Sequence, residues 1–308
     1  MVLMCPGQGA QKVGMGRDLA ERFPAARDTF AAIDQALGVP LSRLMWEGPE
    51  AELTLTHNAQ PAILAHSAAV CAVVKDRVQG AAAGLGHSLG EYSAYVAAGA
   101  LEPPAAARLV RRRGELMLEA GQARPGTMAA VLGLDTAQVE AACAEASSGG
   151  EVAVAANLNA PDQTVISGDP AAVTRAGEGC KARGAKRVLP LKVSGAFHSP
   201  LMEPAVAGLR SALEAAGLVA PRFPVVANAT ARPVRTAPEA VNQLAAQLTA
   251  PVRWVGCAEE AGRLAPGATF IEMGPGAVLS GLVKRILPGT TCVTLGTADE
   301  VDKYLSQG

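Results

Sequence analysis

Residues 84–95 read GLGHSLGEYSAY, and the fold turns on how the middle of that stretch is parsed. On its N-terminal side runs a small apolar segment, GAAAGLG at 80–86, and on its C-terminal side an Ala-rich segment ending at Gly99. A short apolar run, a glycine-bounded turn and a helical stretch predict strand, turn and helix in succession. Working outward, MVLMC at 1–5 predicts a strand that feeds a second glycine loop at PGQGAQ, 6–11. FPVVAN at 223–228, ATFIEMG at 268–274 and TCVTLG at 291–296 read as further buried strands, with helices between them. Strands alternating with helices argue for an α/β protein built on a mostly parallel sheet.

The turn itself has competing readings. A dinucleotide fingerprint, G-x-G-x-x-G, requires a third glycine where Leu89 stands, and the N-terminal GQGAQK has Lys12 at that place. No G-x-x-x-x-G-K-[ST] phosphate loop occurs. The pentapeptide Gly86-His87-Ser88-Leu89-Gly90 instead fits G-x-S-x-G. A nucleophilic serine must project from a strained strand-to-helix turn, and flanking glycines let neighbouring backbone approach it. The N–H of Leu89 would then face a developing oxyanion, aided by the helix N-terminus. An ordinary small-residue turn is the bland alternative.

A nucleophilic serine needs a base. Of four histidines, His87 adjoins the serine, and His57 and His66 read as structural or surface positions. His198, in SGAFHSPLM at 194–202, follows a predicted strand and lies in a turn rich in Ser, Gly and Pro. It is the candidate base, with either a backbone carbonyl or a carboxylate to orient it. On the helix predicted over 103–120, at ~100° per residue, Leu109, Val110, Leu116, Met117 and Ala120 form an apolar stripe with Arg113 in its middle. Arg111 points nearly opposite. An inward arginine must meet an anion, either an internal carboxylate or the carboxylate of a substrate, unless it snorkels past its neighbours to solvent.

Residues 125–189 differ in texture. TMAAVLGL, VAVAANLNA, QTVISG and KRVLPLKV predict four strands, with helices at DTAQVEAACAEA, started by an Asp or Thr, and DPAAVTRAGEGCKARG, started by Asp169. The order β-α-β-β-α-β is the ferredoxin-like split unit. The expected organisation is therefore a large α/β hydrolase-like domain, 1–124 and 190–308, carrying an inserted ferredoxin-like domain at 125–189.

Composition excludes several classes. The 308 residues carry a net charge of −1, which gives no support to nucleic-acid binding. Six cysteines and four histidines are dispersed without a CxxC, so no metal site is expected and reduced thiols are. No apolar run is long enough to span a membrane, and no charged-then-apolar leader opens the chain, so a cytoplasmic protein is expected.

PGQGAQ at 6–11, GHSLGEYSA at 86–94, RRRGELM at 111–117, AFHSPLM at 196–202 and EMGPGAVLSGLVKR at 272–285 together resemble the malonyl-CoA:acyl-carrier-protein transacylase family, in order and over nearly the whole chain. The resemblance implies transfer of a malonyl group from malonyl-CoA to the 4'-phosphopantetheine thiol of acyl carrier protein, in fatty-acid or polyketide synthesis. No bound cofactor is implied; the CoA thioester is substrate. Ser88 would form the malonyl ester and His198 would serve as base and then acid, in a ping-pong reaction. Gln8 and Leu89 would supply oxyanion-hole N–H groups, and Arg113 would hold the malonyl carboxylate. Gln60, Asn159 and His87 would sit near the substrate. Phe197 would disfavour a branched acyl group. Arg253 stands where relatives often place a histidine-orienting glutamine, and only its backbone carbonyl can accept a hydrogen bond. Lys181, Arg183, Lys186 and Arg187, with Lys284 and Arg285, offer a docking face for an acidic carrier protein. A malonate decarboxylase transferase subunit would use the same acyl chemistry, and a serine thioesterase or esterase would share Ser88 and His198 without needing Arg113.

Overall fold

The computed structural model describes residues 1–307. Its strands in chain order are β1 Val2–Cys5, β2 Ala83–Gly86, β3 Thr127–Leu132, β4 Ala153–Ala160, β5 Gln163–Gly168, β6 Arg187–Pro190, β7 Val225–Val226, β8 Pro233–Val234, β9 Phe270–Met273 and β10 Cys292–Leu295. They form two sheets. The larger has the order β10-β9-β1-β2-β7-β8, parallel except for the β7–β8 hairpin. β1 and β2 are buried along their whole length, which is why they read as unbroken apolar runs rather than as alternating ones. The smaller sheet is antiparallel, order β4-β5-β3-β6, with the helices Thr136–Ala146 and Pro170–Ala182 packed on one face.

The alternation of elements follows the sequence closely, and the departures have local causes. The sequence from Gly16 to Ala25 has a helical texture, but its helix ends at Arg22, because Phe23 turns extended ahead of Pro24, which opens the next helix, Pro24–Leu37. Pro61 by its usual preference marks a helix's first turn, which predicts a helix over 60–78, but the helix begins at Thr56 and runs to Val78, so Pro61 lies inside it. FPVVAN contributes only two strand residues, and the return strand β8 was not anticipated. Asp135 caps its helix by accepting from the Gln138 N–H, but Asp169 does not. Its carboxylate pairs with Arg124 and accepts from the Val152 N–H instead.

Both sheets meet at one cleft. Val252, which follows the turn after Ala246, pairs with β4: Leu158 N–H donates to Val252 O at 2.9 Å and Val252 N–H to Ala156 O at 2.8 Å. The loops after β1, β2 and β7 emerge on the carboxyl side of the parallel sheet, the usual place for a site in an open α/β sheet. They carry Gln8, Ser88 and Asn228 respectively. Among the described residues, no helix is long and apolar enough to cross a membrane, and the six cysteines are free thiols.

Candidate active site

Ser88 stands between β2 and the helix Leu89–Ala97 with φ 52° and ψ −107°, a conformation a non-glycine residue holds only under constraint, at about 1–3 kcal/mol. The two glycines of the pentapeptide are spatial requirements. A Cβ on Gly86 would lie 2.0 Å from the Gly90 carbonyl, and one on Gly90 would lie 2.0 Å from the Cys5 carbonyl oxygen. The strained turn is held from outside. Ser88 N–H donates to Asn228 Oδ1 at 2.7 Å, Asn228 Nδ2 donates to Gly86 O at 2.8 Å, and Gln247 Nε2 donates to Ser88 O at 3.0 Å.

His198, also at positive φ (57°), places Nε2 2.8 Å from Ser88 Oγ. Its Nδ1 lies 2.9 Å from the Gln247 carbonyl oxygen. A carbonyl can only accept, so Nδ1 carries the proton and Nε2 presents its lone pair to the serine. Burial, and then the Arg113 cation, push the imidazole down to about 3, so it rests neutral. The orienting carbonyl is therefore a backbone one, as the sequence allowed, but it belongs to Gln247 and not to Arg253. Arg253 O accepts from Cys257 N–H at the start of the helix Trp254–Leu264, and its N–H donates to Asn228 O. The carbonyl bonds within that helix and makes no hydrogen bond to His198.

Arg113 is 1% exposed and has no carboxylate partner among the described residues. Its Nη1 donates to Gln60 Oε1 at 2.7 Å, and its Nη2 donates to Gln247 Oε1 at 2.8 Å and Ser88 Oγ at 3.1 Å. The Tyr92 ring lies 5.4 Å from its guanidinium carbon. Arg111, on the other side of the helix, pairs with Glu115 and Asn58. The periodicity thus separated the two arginines correctly; among the described residues Arg113 has no internal ion pair, and its burial leaves no path by which it snorkels to solvent.

A cavity of about 410 Å³ opens onto these groups, with Gln8, His87, Leu89, Asn159 and Phe197 in its wall beside Ser88, Arg113 and His198. The small sheet supplies the opposite wall, including Met128, Asn157 and Val165. His87 Nε2 and Asn159 Oδ1 are 2.8 Å apart, so His87 leans across the cleft to the small sheet. Gln60 is fully buried and lies behind Arg113, bonded to it, rather than in the cavity wall. Gln8 Oε1 accepts from the Thr56 hydroxyl at 2.8 Å. Among the basic residues offered as a docking face, Arg183 is paired with Glu145 and Arg285 with Asp162. Lys181, Arg187 and Lys284 are exposed.

Sequence reading missed Asn228, Gln247 and Glu91. Glu91 is fully buried one helical turn after Ser88, and its Oε2 accepts from Asn228 N–H at 3.0 Å and Gln247 Nε2 at 2.7 Å. A carboxylate on the inward face of an otherwise apolar segment was a signal of the same kind as Arg113.

The matching family model is that of the acyl transferase domain, over residues 2–303. The chain belongs to that family and is an acyltransferase. Two similar proteins are the malonyl CoA-acyl carrier protein transacylases of Bacillus subtilis, 45% identical over 93% of this chain and 90% of the relative, and of Escherichia coli K12, 44% identical over 94% of each. Two similar solved structures bear out the α/β architecture with its parallel sheet. The acyl carrier protein S-malonyltransferase of Vibrio cholerae superposes with a TM-score of 0.94 at 41% identity, over 98% of this chain and 99% of that one. A malonyl-transacylase in complex with a type II polyketide-synthase acyl-carrier protein does so at 0.94 and 40%, over 100% and 99%.

Proposed function

We propose that this enzyme moves a malonyl group from malonyl-CoA to the phosphopantetheine thiol of acyl carrier protein through a malonyl ester on Ser88. The observation that carries the reading is the convergence of a neutral base, His198, and a buried guanidinium, Arg113, on the one hydroxyl of Ser88, 2.8 and 3.1 Å away.

In the first half-reaction His198 Nε2 takes the Ser88 proton as Oγ attacks the thioester carbon. The C–S bond then breaks, and the imidazolium returns its proton to the CoA sulfur. In the second, His198 takes the proton of the carrier thiol, the sulfur attacks the ester carbon, and Oγ leaves with that proton. The backbone N–H groups of Leu89 and Gln8 serve the oxyanion in both, each donor worth about 10²–10³ in rate. Arg113 pairs with the malonyl carboxylate, which supplies the anion that the apolar face of its helix lacks. Phe197, beside the base in the cavity wall, narrows the space at the acyl α-carbon. Asn159 and His87 close the pocket toward the small sheet.

On this reading residues 1–124 and 190–308 form a hydrolase-like catalytic domain and 125–189 a ferredoxin-like insert; the antiparallel order β4-β5-β3-β6 supports the latter. The protein works in the cytoplasm with its thiols reduced. Arg113→Ala tests the proposal. Malonyl loading should fall about 10²-fold or more, as expected for truncating one partner of a buried charge pair, while acetyl loading is retained. Equal loss of both would make the arginine structural and refute the carboxylate clamp.

A further inference from the structure

Arg113 is buried as a cation, yet every group it donates to is neutral. Glu91 is buried as a carboxylate, and its hydrogen bonds likewise come from neutral donors. Each charge alone would be expensive in the interior. The two share one residue: the Gln247 side-chain oxygen accepts from Arg113 at 2.8 Å and its nitrogen donates to Glu91 at 2.7 Å. An amide thus stands between cation and anion with its dipole aligned to both.

We propose that Glu91 is a positioning residue that acts as the standing counter-charge of Arg113 at one remove, through Gln247, and so leaves the guanidinium bonded only to neutral groups, which an incoming acyl carboxylate can displace. The proposal rests on the carboxylate-clamp reading of Arg113. A direct Glu–Arg pair would occupy the two parallel N–H groups that a substrate carboxylate needs. The amide spacer balances the charge while Nη2 holds only neutral acceptors, Gln247 Oε1 and Ser88 Oγ. Asn228 extends the arrangement, since its N–H donates to Glu91 while its side chain holds the Ser88 turn.

Burial pushes the Glu91 carboxyl up to about 7, and the Asn228 N–H, the Gln247 amide and the Arg113 cation oppose that rise. The carboxylate form is favoured as pH rises above about 7. The other titratable groups facing it, Tyr92 and Tyr95 on its own helix and Cys257 on the helix Trp254–Leu264, are held protonated by burial.

Glu91→Gln keeps the volume and an oxygen acceptor but removes the charge. Glu91 and the substrate carboxylate compete as anions for one cation, so removing the first should tighten the second. At pH 8 the KM for malonyl-CoA should fall by about 5-fold or more, at the low end of typical coupling between linked sites. The KM for acetyl-CoA, which brings no carboxylate, should move less than about 2-fold. Parallel changes for the two substrates would reduce Glu91 to a packing residue and overturn the proposal. Should Glu91→Gln alone fail to fold, Glu91→Gln/Arg113→Gln decides. Recovery of folded protein supports the charge balance, and a double variant no better folded than the single one refutes it. Wild-type enzyme run alongside separates the two readings, because wild type that prefers malonyl no more than acetyl condemns the clamp itself.

Discussion

The two walls of the cleft are built differently. On the side of the parallel sheet, Ser88, His198 and Arg113 are tied into one buried network by Asn228, Gln247, Gln60 and Glu91, and single groups serve several partners at once. On the side of the small sheet, Met128, Asn157, Asn159 and Val165 line the cavity, with Asn159 meeting only His87 among the catalytic-side residues. Its outer edge, β6, is largely exposed, with Leu189 at 43%. Chemistry that needs fixed geometry is placed where burial makes every lost hydrogen bond costly. On the proposed function, fit to the substrate and partner falls to the side where a residue can change alone.

Changes in the buried wall should therefore cost far more than changes in the other. The largest effect belongs to Ser88→Ala, which should lower malonyl transfer by about 10³-fold or more while leaving the fold intact. Asn228→Ala comes next. It leaves the Ser88 N–H and Gly86 O without their side-chain partners, so stability should fall by about 1–3 kcal/mol in chemical denaturation, with kcat reduced more than KM as the serine turn loosens. Asn159→Ala, in the small sheet, removes one half-buried bond worth about 0.5–1.5 kcal/mol and should shift KM for malonyl-CoA only a few-fold. If Asn159→Ala proves as damaging as Asn228→Ala, the contrast between the walls is wrong. The smallest effect should come from reversing the exposed charges Lys181, Lys186 and Arg187 together. KM for carrier protein should rise while hydrolysis of malonyl-CoA is unchanged, and equal effects on both would rule out docking there.

Acid tests burial in the large-sheet part of the molecule more widely, because two buried histidines, His198 at the site and His66 on the helix Thr56–Val78 away from it, refuse protons. Burial lowers His66 to about 4 and His198 to about 3, against about 6.5 in the unfolded chain. Below pH 6.5 the unfolded chain binds protons that the folded one does not. Stability is therefore full above that pH and is lost as pH falls toward 4, at up to about 1.4 kcal/mol per pH unit for each group. Removing His66 by His66→Leu should flatten the melting temperature against pH between 6.5 and 4, without altering the profile above 7.

Much of this was legible in the chain. The strand-turn-helix around Ser88, the four strands of the small sheet and the inward face of Arg113 all follow from period and glycine placement, because local sterics and burial set them. What escaped was long-range. Asn228 ends a segment read only as a strand and Gln247 lies in one with no motif, and their roles exist only once β7 and the turn before Val252 are brought against the serine helix. Arg253 misled for the same reason: its place in the sequence is close to the orienting carbonyl, but the helix that begins after it consumes its own carbonyl. Pro61 shows the limit of a local rule, since packing of the helix Thr56–Val78 beneath the site carries that helix past a residue which usually starts one.

The central claim is that the hydroxyl of Ser88 carries the acyl group between the two thiols. Incubating the enzyme with malonyl-CoA alone, digesting it and mapping the adduct by mass spectrometry tests this most directly. The account expects one malonyl group on the peptide containing Ser88, discharged when carrier protein is added. Transfer to carrier protein without any adduct, or with the malonyl group on another residue, would contradict it.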